Sequence, residues 1–482
     1  MKFPASKTKI VCTLGPASHS KKIIKKLVLA GMNVARINLA HDTLNFHRET
    51  LHHIREVEEE LKTSIPVMMD IPGPKIRIGK IENGPILLKK GQTIRLTTRD
   101  IIGDESIIPV EYKGLLQSVR VDSLIYLYDG FIQLVVTDIS KDDDEVTCRV
   151  LIGGKIDSHK GLNLPRAKVL LEPVSEQDLE LISFGLEEGV NIFGISFVEK
   201  AGDIIKVKEF ARQKGKEIFT VAKIEREEAL KNIQEILSVT DAVMVARGDL
   251  GVQVNIEEIP VIQKNLIRQA NQMSRPVITA TQMLVSMTEN IRPTRSEVTD
   301  VANAILDGTD ATMLSEETAV GKYPVEAAKM MSDIAVSTEK SHHSSRIRSS
   351  CYDDLNSAFQ REKPSVEDVI SLHTLDSSQI FEAKYIVTPT ETGNTARRIS
   401  RLKPYCWILA FTTRPEIARF LTFSYGVLPF LIPRARFDWF GNIMDFLKEK
   451  RLVEKNDYVI LTEGTIRKKV GGTDSLRIIQ VD

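Results

Sequence analysis

Short apolar runs alternate with longer stretches of helical periodicity along most of this chain, a rhythm that predicts repeated βα units. From Thr8 the order is a strand, Lys9-Ile10-Val11-Cys12-Thr13-Leu14, then a helix to about Ala30, and a second strand within Asn33 to Leu39. A long helix from about Thr43 to Leu61 leads to a third strand within Pro66 to Ile71. The rhythm breaks at Gly79. For about ninety residues, Gly, Asp and Asn turns separate short β-rich pieces such as Thr93–Thr97, Leu124–Leu127 and Ile132–Val136. This predicts a small β domain inserted over residues 79–165.

The βα rhythm then resumes with a helix from Ser175 to Glu188 and a strand within Asn191 to Phe197. The unit between Ile218 and Gly251 follows. It has a strand Phe219–Glu225, a helix Arg226–Val239 carrying Leu230, Ile233, Ile236 and Leu237 at helical spacing, and a strand Ala242–Asp249. Further strands lie within Pro276 to Thr281 and, after the polar loop Asn290 to Arg295 and a helix, Ala311 to Ser315. Outside the insertion the strands number those of a closed (β/α)₈ TIM barrel, over residues 1–78 and 166–342. A polar stretch, Ser341 to Ser345, marks a boundary. Beyond it, residues 343–482 read as an α/β domain with strands near Tyr385–Thr388, Trp407–Phe411, Val427–Phe430, Tyr458–Thr462 and Leu476–Gln480.

Composition narrows the function classes. The formal net charge is +0, with 42% apolar and 27% charged residues, which gives a sizeable core and no general attraction to nucleic acid or anionic membrane. No apolar run reaches transmembrane length, and Met1-Lys2-Phe3-Pro4 has no signal-peptide core, so a cytoplasmic protein is expected. Cys12, Cys148, Cys351 and Cys406 are far apart with no CxxC pair, which suggests neither a zinc site nor a disulfide framework.

The candidate chemistry sits at the strand ends. Arg36 and Asn38 end the second strand, Asp70 the third and Ser196 the fourth. Lys223 and Glu225 end the fifth, Arg247 and Asp249 the sixth, Thr281 the seventh, and Ser315 with Glu317 the eighth. Barrel interiors take apolar side chains, and this fold collects its reactive residues at the C-terminal edge of the strands. Glu225 and Asp249 could share a hard divalent cation beside a cation that stabilises an oxyanion.

Five motifs carry a family resemblance that runs nearly end to end. They are Thr8-Lys9-Ile10-Val11-Cys12-Thr13-Leu14-Gly15-Pro16-Ala17-Ser18, Gly31-Met32-Asn33-Val34-Ala35-Arg36, Lys160-Gly161-Leu162-Asn163-Leu164-Pro165, Met244-Val245-Ala246-Arg247-Gly248-Asp249-Leu250-Gly251 and Ala280-Thr281-Gln282-Met283-Leu284. With them the chain resembles the pyruvate kinases, which convert phosphoenolpyruvate and ADP to pyruvate and ATP. The resemblance implies Glu225 and Asp249 as ligands of Mg²⁺ or Mn²⁺, Lys223 facing the transferring phosphoryl group, and Arg36 as a second phosphate clamp. It implies that backbone N–H groups from Ala246 through Arg247 and Gly248 to Asp249 hold the substrate carboxylate. Thr281 would guide proton delivery by ordering a water. Asn38, His41, Arg77 and Lys160 would surround the nucleotide phosphates, with Arg77 and Lys160 at the two roots of a lid. A homotetramer is also implied.

Two departures from the family pattern stand out. Most relatives build a K⁺ cage from positions matching Asn38, Ala40, Asp70 and Ile71, but Ala40 replaces a Ser, Ile71 replaces a Thr, and Lys75 stands where K⁺-dependent enzymes have Glu. A tethered ammonium at Lys75 would supply the missing charge beside the substrate phosphate, in place of an ion at the cage positions Asn38 and Asp70, and make K⁺ unnecessary. The C-terminal loop formed by Thr388, Thr390, Thr392, Gly393, Asn394 and Thr395 enters a helix and reads either as an anion cradle for a phosphorylated effector or as an ordinary cap. Glu391 adds negative charge there, so a nucleotide monophosphate or another sugar phosphate stands beside fructose 1,6-bisphosphate as the effector. A metal-dependent barrel aldolase would leave the insertion, Lys160 and the C-terminal domain unexplained, and a non-catalytic sensor would not retain Lys223, Glu225, Asp249 and Thr281 together.

Overall fold

The computed structural model describes the chain except residues 1–2, 83, 129, 166, 168–170, 345–349, 360–362, 433–438 and 465–471. Position 166, where the barrel is expected to resume, and Ser345 therefore lie outside the described residues.

Eight parallel strands close into a barrel. We number them β1 (Lys9–Leu14), β2 (Val34–Asn38), β3 (Val67–Ile71), β4 (Ile192–Ile195), β5 (Phe219–Ile224), β6 (Ala242–Ala246), β7 (Val277–Ala280) and β8 (Ala311–Leu314). Each strand pairs with its sequence neighbours, and β1 with β8 closes the ring. Val11, Val34, Met68, Ile192, Val221, Met244, Ile278 and Met313 fill the interior, while the opposite faces of the strands pack on the surrounding helices. Alternation along each strand produces these two cores.

Three local expectations are corrected. The sixth strand stops at Ala246, where ψ swings to 80°, and Arg247–Gln253 is a helix; Arg247, Gly248 and Asp249 thus form its first turn and are not strand. Between β5 and β6 the single expected helix is two, Glu227–Lys231 and Ile233–Val239. Asn232 breaks it by leaving the helix to donate its amide to the Glu199 carbonyl at 2.9 Å. The polar stretch from Ser341 to Ser344 is helical, the last turn of the helix Pro324–Ser344.

The insertion has its own core and a curled six-stranded sheet. Arg77 and Gly161 form an antiparallel bridge at its root, so the chain enters and leaves side by side. The C-terminal domain is a five-stranded sheet with helices, parallel except for its last strand, Ser475–Gln480. Its Phe420 and Phe423 plug the N-terminal mouth of the barrel, with Phe420 stacked on Phe219 at 4.3 Å. The C-terminal domain thus sits at the N-terminal mouth, whereas the inserted domain leaves the barrel after β3, at the C-terminal edge of the strands where the candidate site lies.

Candidate active site

β2, β3 and β5 run parallel, and Asn38 stands beside Asp70 in the register. That spacing lets one carboxylate serve two cations. Asp70 Oδ2 accepts from Arg36 Nε at 2.7 Å, and Asp70 Oδ1 lies 3.0 Å from Lys223 Nζ. Lys223 Nζ also lies 2.9 Å from Glu225 Oε1 and donates to Ser196 Oγ at 2.6 Å. Arg36 is fixed from a third side by Thr13 Oγ1 at 2.9 Å. The result is a chain of alternating charge, Arg36–Asp70–Lys223–Glu225, across the ends of β2, β3 and β5.

Burial makes each charge depend on its neighbours. Burial opposes ionisation of Asp70, but Lys223 and Arg36 outweigh it and hold the carboxyl below its usual range. Burial alone would discharge Lys223; Asp70 and Glu225 instead hold the ammonium above its ordinary value. For Glu225 burial wins over the pull of Lys223, and the nearby Asp249 carboxylate adds to it, so its pKa is raised. A carboxylate held above its range by burial, with the charge of a second carboxylate adding to the effect, forms a site that an added cation would relieve.

Asp249 is a third exposed, and Lys75 Nζ, from the segment that leads into the insertion, lies 3.8 Å from its Oδ1. Lys75 is therefore turned to the crevice edge beside Asp249. Asn38 Oδ1 accepts from Ala40 N at 3.2 Å, and both oxygens of Asp70 face Arg36 and Lys223. Among the described residues no cluster of three or more His, Cys, Asp or Glu side chains is arranged to hold a metal ion. A pair of carboxylates suits a hard cation that keeps water and substrate oxygens as its remaining ligands.

Arg247 does not present its guanidinium as a free oxyanion partner. Nε and Nη2 donate to the Ala280 and Thr281 carbonyls at 3.2 and 2.8 Å, and Nη1 reaches Asp300 at 2.8 Å. It braces β7 against β6. Gly248 N–H donates to Thr281 Oγ1 at 2.8 Å, and that hydroxyl donates to the Ala280 carbonyl at 2.7 Å. Thr281 and Gln282 both have positive φ, 66° and 53°, a strained turn that this bonding holds.

The structure brings the nucleotide candidates together in pairs. At the root of the insertion Arg77 Nη1 donates to the His159 carbonyl at 3.1 Å, and Lys160 Nζ sits over the Tyr128 ring at 4.7 Å. Asn38 and His41 share the turn after β2, with His41 N–H on the Asn38 carbonyl at 3.4 Å. In the C-terminal loop Thr390 Oγ1 accepts from Gly393 N at 2.9 Å, Gly393 has φ 78°, and Asn394–Ser400 is helical. Thr395 pairs with Thr473, and Thr392 Oγ1 takes Asn394 N at 3.5 Å. Thr388 is fully buried at the end of its strand.

Sequence reasoning gave no role to Thr13, although a hydroxyl at a strand end was a signal available to it. Glu317 is enclosed rather than open to the crevice: its carboxylate accepts from Leu284 N and Ser315 N at 3.0 and 2.7 Å. Phe197 N–H donates to Glu225 Oε2 at 2.8 Å, a contact with no trace in the residue pattern.

Family models cover both parts of the chain: the pyruvate kinase barrel domain matches residues 5–328 and the pyruvate kinase alpha/beta domain residues 368–479. The chain belongs to the pyruvate kinase family. It is 47% identical over 484 residues to a pyruvate kinase of Thermococcus litoralis, covering 100% of both chains. A pyruvate kinase of Staphylococcus aureus is 40% identical over 475 residues, covering 98% of this chain and 80% of that one. Among solved structures, a pyruvate kinase from Cryptosporidium parvum superposes with a TM-score of 0.90 at 35% identity, covering 99% and 97% of the two chains. This membership makes the chain a phosphotransferase and agrees with the barrel, curled sheet and C-terminal domain described above. Among the described residues no helix is long and apolar enough to cross a membrane.

Proposed function

We propose that the chain transfers the phosphoryl group of phosphoenolpyruvate to ADP, giving pyruvate and ATP in the cytoplasm, and that Glu225 and Asp249 hold Mg²⁺ or Mn²⁺. The observation that carries this reading is the Arg36–Asp70–Lys223–Glu225 array at the strand ends, with Asp249 beside it. When bound, the divalent ion supplies positive charge to the substrate carboxylate and phosphate oxygens.

The phosphorus–oxygen bond to the enol breaks as a β-phosphate oxygen of ADP bonds to phosphorus, and the enolate then takes a proton at its methylene carbon. Charge spreads over the equatorial phosphoryl oxygens during transfer. Lys223 and Arg36 are fixed by Asp70, so their cationic groups need no reorganisation to meet that charge. The Lys223 ammonium neutralises the enolate oxygen left behind. Thr281 commits its proton to the Ala280 carbonyl, which favours its ordering a water for enolate protonation over donating directly. Backbone N–H groups of the Ala246–Asp249 turn receive the substrate carboxylate, that of Gly248 exchanging its bond to Thr281 Oγ1 to do so. Asn38, His41, Arg77 and Lys160 take the nucleotide phosphates, and the lid excludes water as a competing acceptor.

The reaction needs no K⁺ on this reading. Ala40 and Ile71 bring no side-chain oxygen, Asp70 is occupied by Arg36 and Lys223, and Lys75 supplies a tethered cation at the crevice edge. The chain assembles as a homotetramer, and the Thr388–Thr395 loop takes a phosphorylated effector. ADP-dependent pyruvate formation, coupled to NADH oxidation by lactate dehydrogenase, tests the activity. No pyruvate in the presence of ADP and Mg²⁺ or Mn²⁺ would refute it. Calorimetry with phosphometabolites tests the effector loop, and hyperbolic substrate response without binding would make that domain structural.

A further inference from the structure

The turn after β4 contains a backbone conformation that its residue type does not favour. Phe197 stands at φ 54°, in the left-handed region that a bulky side chain seldom adopts. Such a conformation persists only where the surroundings over-determine it. Three contacts do so here. The Phe197 N–H donates to Glu225 Oε2 at 2.8 Å. The Arg226 guanidinium, itself paired with Glu199, lies over the Phe197 ring at 5.0 Å from the centroid. The ring edge also abuts the segment that leads into the insertion so closely that a Cβ on Gly73 would stand 2.9 Å from Phe197 Cδ2. The residue before it completes the turn: Ser196 Oγ accepts from Lys223 Nζ and donates to the Ile71 carbonyl, both at 2.6 Å.

Glu225 has two oxygens and a strong attractor. Lys223 Nζ sits 2.9 Å from Oε1, and nothing in the length of a Glu side chain prevents both oxygens from turning to that ammonium. The Phe197 N–H engages Oε2 and so fixes the plane of the carboxylate. The chain is held before Phe197 by the two bonds of Ser196 and after it by Glu199 N, which donates to Asp203 Oδ2 at 2.9 Å. With both sides held, φ of 54° is what lets the intervening peptide keep its N–H on Glu225, and relaxation towards about −60° would displace that peptide.

We propose that Phe197 is a positioning residue for phosphoryl transfer, its left-handed backbone holding the Glu225 carboxylate in the orientation that binds the divalent ion. The inference rests on the reading of Glu225 as a metal ligand. It assigns the effect to the backbone of Phe197; the ring, held between Arg226 and Gly73, keeps that backbone in place.

The test is Mn²⁺ binding to the full-length protein without substrates, followed by the electron paramagnetic resonance of the free ion. Phe197→Gly and Phe197→Asn keep the N–H and tolerate positive φ, whereas the β-branched Phe197→Val disfavours it. The expected result is an Mn²⁺ Kd within about threefold of wild type for Gly and Asn, and weakened about 10–100-fold for Val, the range for a lost metal-supporting contact. kcat should fall in the same order while KM for ADP stays constant. Weakening in Gly and Asn as large as in Val would overturn the proposal in favour of the ring, and wild-type Mn²⁺ affinity in folded Val would overturn it outright. If Val does not fold, Gly and Asn still decide: a tenfold loss in both rejects the backbone assignment. Glu225→Gln separates the two levels of inference, because unchanged Mn²⁺ affinity in that variant would overturn the metal-ligand reading itself.

Discussion

Replacing Lys223 by Met removes the central cation of the site at nearly constant side-chain length. Three partners lose it at once: Asp70 Oδ1 at 3.0 Å, Glu225 Oε1 at 2.9 Å and Ser196 Oγ at 2.6 Å. A unit charge on the enolate oxygen about 3.5 Å from the ammonium, at an effective dielectric near 20, interacts by about 5 kcal/mol. Roughly half of that charge develops in a loose transition state, which leaves about 2–3 kcal/mol, and loss of alignment adds to it. The expected fall in kcat is therefore about 10²–10⁴-fold, the scale seen when one preorganised oxyanion donor is removed. The ground-state phosphate keeps Arg36, so KM for phosphoenolpyruvate should change by less than about fivefold. The coupled assay at saturating ADP measures both constants, and circular dichroism checks the fold. Breaking a buried pair costs about 3–5 kcal/mol when one charge is stranded, but Asp70 retains Arg36, and Glu225, already raised by burial, can take a proton. A lowered melting temperature with a retained cooperative transition is expected. A folded variant with kcat within tenfold of wild type would refute the role of Lys223, as would a rise in KM that accounts for the whole loss of kcat/KM.

Three further outcomes follow from the same geometry. Turnover should be equal in KCl and tetramethylammonium chloride at matched ionic strength, and Lys75→Glu should lose activity that K⁺ partly restores; strong K⁺ activation of wild type, or full K⁺-independent activity in the variant, would defeat the tethered-cation reading. Asp70→Asn keeps the shape but strands Arg36 and Lys223 without their shared anion, so unfolding by urea should show a loss of about 3–5 kcal/mol, and a loss under about 1 kcal/mol would contradict the array. Lys9 is fully buried with Nζ on the Val427 carbonyl at 2.8 Å, and burial brings its pKa down from 10.5 to about 7. Below pH 7 both folded and unfolded states carry the proton and the burial penalty is complete; between 7 and 10.5 the unfolded state binds more protons, so stability rises with pH. Relative to Lys9→Met, wild type should gain about 1 kcal/mol per pH unit across that window in urea titrations, and parallel profiles would refute the shift.

Much of this molecule is legible in one dimension. The barrel strands were readable because each must be apolar on both faces, inside against Met68 or Ile278 and outside against helices, and a run such as Lys9–Leu14 satisfies that wherever it is placed. Arg36, Lys223, Glu225 and Asp249 were readable because a charge at the end of an apolar run has one favourable exit, the C-terminal edge of the barrel. Backbone geometry was not readable. Arg247 looks the same in a strand as in the first helical turn, and only the structure shows its guanidinium committed to Ala280, Thr281 and Asp300. The polarity of Ser341–Ser344 reads as a linker as readily as a helix end, and the chain there continues the helix Pro324–Ser344. Phe197 is the extreme case. A residue type sets which φ values are cheap, but contacts from Glu225, Arg226 and Gly73, distant in sequence, are what make an expensive one stable. Local sequence therefore determined which groups reach the site, and their orientation came from long-range partners that exist only after the barrel has closed.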